Sequence, residues 1–102
     1  MARFSELREL IMLWAKERQI IQNSSAETQL FKAFSEMGEL ADATIKLDVA
    51  EIKDAVGDTI VCLLNYCEIQ GIDIVDCLEG AYEQIKNRRG TLLPNGVFVK
   101  EV

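Results

Sequence analysis

The sequence holds no histidine, one proline and three cysteines in 102 residues, and each scarcity removes a class of protein. Cys62, Cys67 and Cys77 form no C-x-x-C pair, and without histidine to complete a shell a zinc site is not supported. An odd number of cysteines in apolar contexts reads instead as buried free thiols in a reducing compartment. There is no charged-then-apolar leader, and no apolar run approaches the ~20 residues needed to cross a bilayer. A cytoplasmic location is therefore expected. Basic residues are also few, 11 against 17 acidic, for a net charge of -6; this argues against a general nucleic-acid or anionic-membrane binder.

Apolar residues make up 49% of the chain. A single domain over residues 1–102 is expected, and a chain this short buries only about two thirds of the surface its unfolded form exposes. The excess of aliphatic surface points to self-association, as a homodimer or homotetramer.

Periodicity predicts four helices. Phe4, Leu7, Leu10, Ile11 and Trp14 recur at helical spacing over residues 3–19, and the polar QNSS that follows reads as a turn. Ser24 and Glu27 have the spacing of a capping box, so a second helix starts near Ser25, with Leu30, Ala33, Phe34, Met37 and Ala41 as its buried stripe. Gln29, Lys32, Glu36, Glu39 and Ala43 line the adjacent stripe, bordering the core. Asp48 and Glu51 repeat the cap spacing before a third helix over about 49–69 that stops at Gly71. Its expected core is Ile52, Val56, Ile60, Leu63 and Cys67, with Asp54, Asp58, Val61 and Asn65 on another stripe. Gly57 costs about 1 kcal/mol relative to alanine inside a helix and suggests a close neighbour beside Asp58. Asp73 caps a fourth helix carrying Val75, Leu78, Ala81, Tyr82 and Ile85 on its inner face, with Gly90 as the stop. In the tail, Asn95-Gly96 marks a turn between β-favouring residues, giving a short hairpin or an extended arm packed on the bundle. The expected fold is all-α, a four-helix bundle with this short tail.

The chemistry concentrates in residues 35–43 and 51–61. Glu36 and Glu39 share a helix face at a spacing of three, and Asp54 and Asp58 at a spacing of four. E-x-x-E is also common on solvated faces. Carboxylates from two helices that face one another repel, and a divalent cation removes the conflict. Oxygen-only ligation without histidine or thiolate points to Mg2+ or Mn2+, with room left for water and phosphate oxygens.

Those same residues resemble a known family. E-x-G-E-L-A-D-A at 36–43 and D-A-V-G-D-T-I-V at 54–61 are similar to the metal-binding helices of MazG-like nucleoside triphosphate pyrophosphohydrolases. The likeness continues through W-A-K-E-R at 14–18, the approach from Gln29 to Lys32, I-K-N-R-R-G at 85–90 and N-G-V-F-V-K-E at 95–101. It is nearest to short single-domain members found in phages and mobile elements. The resemblance implies antiparallel helices with E-x-x-E and E-x-x-D motifs, Mg2+ bridging them to a triphosphate, and cleavage of an NTP or dNTP to the monophosphate and pyrophosphate. Glu36, Glu39 and Asp58 match motif positions. Ala55 stands where the glutamate of E-x-x-D falls, so the fourth ligand is open between Asp54, one turn before Asp58, and Glu51, which also has a capping role. Either Glu36 or Glu39 serves as the base.

A triphosphate also needs cations beyond the metal. Lys32, Lys86 and Arg89 are candidates, although Lys32 also suits an ion pair with Glu36, and the basic end of the fourth helix also suits its dipole. Trp14 and Tyr82 offer stacking surfaces for a base, and both also read as core. Two alternatives remain: a helical module of the same fold that binds a nucleotide or protein without turnover, and a related all-α hydrolase of phosphoribosyl nucleotides.

Overall fold

A computed structural model describes the backbone of residues 2–101 and the side chains of 3–101; Met1 and Val102, the two ends of the expected domain, lie outside the described residues. The chain runs α1 (Ala2–Glu17), α2 (Ile20–Asn23), α3 (Ala26–Lys46), α4 (Val49–Gln70), α5 (Ile74–Ile85), β1 (Gly90–Leu92) and β2 (Phe98–Lys100). The all-α expectation holds. The four long helices are those expected, and α2 is a single added turn, split from α1 because Gln19 adopts a left-handed φ of 65°.

Helix ends follow local side-chain chemistry. Asp48 accepts from the Glu51 backbone N–H and Asp73 from that of Val75, so each satisfies a donor left free at a helix start. Gly71, at φ 74°, ends α4 as expected. The capping box shifts by one residue: Ser25 is the cap of α3 and accepts from Thr28 N–H, while the Ser24 hydroxyl accepts instead from Gln29 Nε2. Helix α5 ends at Ile85, short of Gly90, and Arg88 and Arg89 therefore lie beyond its last turn.

The long helices α3 and α4 pack antiparallel and form the body of the fold; α1 and α2 cover α4 from one side. The faces they bury differ from those the apolar stripes suggested. On α3 the buried residues are Ala26, Gln29, Ala33, Glu36 and Ala43, and on α4 Ala55, Cys62, Leu64, Asn65 and Cys67. Phe34 and Met37 are 62% and 51% exposed, and Val56, Ile60 and Leu63 also face outwards. Small side chains let the two helices approach along the polar stripe, which leaves the large apolar stripe on the outside of the chain. On α1, Ala15 is buried while Phe4, Leu7, Leu10 and Trp14 stay partly exposed, and on α5 Leu78, Tyr82 and Ile85 are exposed. Gly57 faces open space, since a Cβ there would meet nothing within 4 Å, so it admits no close neighbour within the chain. Cys62 and Cys67 are buried thiols as expected; Cys77 is exposed.

The tail is a hairpin. Thr91 pairs with Val99 across it, Gly96 N–H donates to Leu93 O, and Gly96 takes a φ of 89°. This is a turn closed by a left-handed glycine. Gly90 is required where the strands meet, because a Cβ there would fall within 3 Å of Val99 O, the Phe98 ring and Lys100 Cα. Among the described residues neither strand packs on a helix, so the hairpin extends from the bundle instead of lying against it.

Candidate functional site

The register of α3 against α4 determines which polar groups meet. Gln29 faces Asn65 at one level, and Glu36 comes near Asp58 two turns further along, the numbers running in opposite directions. A cavity of about 260 Å³ opens along this seam, lined by Trp14, Gln29, Lys32, Glu36, Asp58 and Asn65 together with apolar residues from α2 and α4. A larger concavity of about 640 Å³ lies between α1 and the α4–α5 junction. Its rim carries the Arg8–Asp73 and Lys16–Glu68 ion pairs and none of the paired carboxylates.

The electrostatics of the smaller cavity are those of crowded acids. Glu36 is only 9% exposed, and its Oε1 takes a long contact of 3.5 Å from Lys32 Nζ. Its Oε2 is sealed from solvent and has no donor among the described residues. The Glu39 carboxyl is held above its ordinary value, first because keeping its proton lets it hydrogen-bond Glu36, then because the negative charge of Glu36 lies beside it; Asp58 adds a smaller push. Burial raises Asp58 most, followed by the charges of Asp54 and Glu36. Lys32 counters both shifts. The carboxylates of α3 and α4 are therefore electrostatic neighbours across the helix seam.

This donor set fits a hard divalent cation. It is made of oxygens, it includes one buried oxygen with no partner, and its acids are strained by mutual repulsion that positive charge relieves. Among the described residues no group of three His, Cys, Asp or Glu side chains is placed so that it could hold a metal ion. Ligation by these carboxylates would therefore require their side chains to move.

The expected residues separate into two groups. Trp14, Lys32, Glu36 and Asp58 line one cavity, with Glu39 and Asp54 beside it. Ala55 is buried, and among the described residues the side chain of Glu51 makes no bond, while its backbone N–H is held by Asp48. Within one chain Tyr82, Lys86 and Arg89 are not brought to the cavity. Tyr82 is exposed on α5, Lys86 pairs with Glu83 at 2.8 Å, and Arg89 lines a separate concavity with Lys100 and Glu101. The Arg18 guanidinium sits 4.9 Å from the centre of the Trp14 ring and covers one of its faces. Two amide side chains of the cavity were not recognised as site residues from sequence: Gln29 and Asn65. The available signal was their place on the same stripes as the carboxylates.

Comparison with known proteins identifies the family of the chain. Residues 24–92, more than half of the chain, match the MazG nucleotide pyrophosphohydrolase domain. The chain is also 32% identical over 75 residues, 74% of its length, to the "Uncharacterized 18.2 kDa protein in rep-hol intergenic region" of Haemophilus phage HP1 (strain HP1c1), and spans 46% of that relative. No solved structure matches. The chain belongs to the MazG nucleotide pyrophosphohydrolase domain family, whose members are generally nucleotide pyrophosphohydrolases that depend on a divalent metal. No helix among the described residues is long and apolar enough to cross a membrane.

Proposed function

We propose that this chain hydrolyses a nucleoside triphosphate, ribo or deoxy, to the monophosphate and pyrophosphate in the presence of Mg2+, with Mn2+ as a substitute. The observation that carries the reading is the buried Glu36 carboxylate, with an unpartnered oxygen, facing Asp58 across the α3–α4 seam of a family that acts on nucleotides. Glu36, Glu39 and Asp58 would hold the cation, with Asp54 completing the set in place of the missing glutamate at Ala55. When bound, the cation supplies positive charge to the phosphates and to the leaving pyrophosphate. Lys32 adds a cation at the same cavity, and Trp14 a flat apolar surface. Glu36 or Glu39 takes the proton from the attacking water as the new P–O bond forms and the bond to the pyrophosphate oxygen breaks.

The chain is read as a homodimer or homotetramer. The outward Phe34, Met37, Val56, Ile60 and Leu63 continue across α3 and α4, and a second copy is the simplest cover for an apolar face of this kind. Lys86, Arg89 and Tyr82 would then reach a site only from a neighbouring copy.

The buried Ala55 favours one other reading, a module that binds nucleotide without turnover. Purified protein incubated with a panel of NTPs and dNTPs, with Mg2+ or with chelator, separates the two. Metal-dependent pyrophosphate release supports the enzyme, and binding without release supports the module. Failure of every nucleotide to bind or react overturns both.

A further inference from the structure

The end of the cavity away from the carboxylates is built from amides. Asn65, 3% exposed, donates through Nδ2 to Gln29 Oε1 at 3.3 Å, and Gln29 donates through Nε2 to Ser24 Oγ at 3.1 Å. This chain of bonds has a direction. Every link donates towards Ser24, so the Asn65 oxygen is left over: Oδ1 is sealed from solvent and has no donor among the described residues. Buried acceptors are almost always satisfied, and Asn65 lines the cavity, so a rotation of its side chain presents this oxygen to a ligand there. Apolar walls from Trp14, Ile20 and Val61 adjoin it.

Asn65 and Asp58 are seven residues apart on α4, as are Gln29 and Glu36 on α3. Seven residues of helix rise about 10 Å, roughly the separation between a nucleobase and the phosphates of its own nucleotide. At about 260 Å³ the cavity is near the lower end of ordinary ligand pockets, about 300 Å³, enough for a base and too small for a whole nucleotide.

Resting on the nucleotide reading above, we propose that this end is a nucleobase subsite in which Asn65 Oδ1 accepts a hydrogen bond from the exocyclic amino group of adenine or cytosine. Trp14 flanks the base, its other face already covered by Arg18. A base with a carbonyl at that position sets oxygen against oxygen and leaves both unpaired. A site built to hydrogen-bond one group rejects the analogue that lacks it. Gln29 is a positioning residue, because it occupies the Asn65 amino group and so turns the oxygen towards the ligand.

The test is equilibrium binding with Mg2+ by calorimetry, comparing nucleotides that carry an amino or a carbonyl group at this position, with the adjacent ring nitrogen an acceptor in the first and an N–H donor in the second: ATP against ITP and CTP against UTP. Binding is the readout, so absence of hydrolysis counts against the enzyme reading alone and leaves this comparison intact. The expected result is tighter binding of the amino member of at least one pair by about 10-fold or more, with the preference falling to within about twofold in Asn65→Ala. Equal affinities, a preference for the oxo members, absence of binding, or a preference that survives Asn65→Ala each overturns the subsite. The wild-type ratios decide the question even if Asn65→Ala does not fold.

Discussion

Replacing Gln29 with leucine tests the amide chain without reference to any ligand. In the native chain Asn65 Nδ2 has one partner, Gln29 Oε1, and Asn65 Oδ1 has none among the described residues. Gln29→Leu therefore leaves the whole Asn65 amide unpaired at 3% exposure. Ser24 is closer to solvent and recovers its bond from water. A buried amide stripped of its last partner costs about 1–3 kcal/mol, and the similar size of leucine keeps the cavity term small. In a domain of about 100 residues each kcal/mol moves Tm by roughly 4–8 °C, so a fall of roughly 5–15 °C is expected. Asn65→Leu added to Gln29→Leu removes both partners together and should restore much of the loss, a coupling of about 0.5–3 kcal/mol. The assay is thermal unfolding followed by far-UV circular dichroism at one fixed protein concentration, since self-association makes Tm depend on concentration. A Gln29→Leu chain that melts with wild type, or a double variant no better than the sum of the singles, refutes the claim that these amides depend on each other.

Further outcomes follow from the carboxylate seam and the open faces. The folded-state pKa values of Glu39 and Asp58 lie above 4.5 and 3.8, their ordinary values, so the folded chain holds protons more tightly than the unfolded one. The stabilising contribution of these two groups is therefore fully present below those ordinary values and is lost as pH rises through the raised ones. In chelator, Tm should rise as pH falls from 7 towards those ordinary values relative to an Asp58→Asn/Glu39→Gln variant, and Mg2+ should raise Tm at pH 7 in wild type only. Asp54→Asn should weaken Mg2+ binding by about 10-fold or more, while Glu51→Gln, whose side chain makes no bond among the described residues, should change it by less than about twofold; calorimetric Mg2+ titration in the presence of nucleotide measures both. Gly57→Ala meets nothing within 4 Å and should stabilise α4 by up to about 1 kcal/mol; a lowered Tm in the melting assay would indicate that another chain packs on that point.

What the sequence made legible was largely local chemistry. Asp48, Asp73 and Gly71 mark helix ends through bonds and dihedral angles that belong to a few neighbouring residues, and the structure places those ends accordingly. Ser24 went astray because two adjacent serines can both cap, and only the tertiary partner Gln29 separates them. The one-turn α2 carries too few residues for any periodicity. Apolar stripes show which face avoids water, but not which surface covers it. Phe34, Met37, Val56 and Ile60 form such stripes, yet α3 and α4 meet through Ala33, Ala55 and Cys62, where close backbones bring Glu36 and Asp58 together. The carboxylates that come near one another across the seam were legible through spacing and family likeness. Asn65 and Gln29 were not, because a polar residue on a mixed stripe looks solvated until its partner on another helix is known.

The central claim is that the α3–α4 carboxylates form a metal-dependent nucleotide site. Its most direct test is pyrophosphate release from a panel of NTPs and dNTPs by wild type and by Glu39→Gln, each with Mg2+ and with chelator. Release by wild type in Mg2+ alone is expected, with a loss of about 100-fold or more in Glu39→Gln. Release that ignores Mg2+ or survives Glu39→Gln undiminished would contradict the claim.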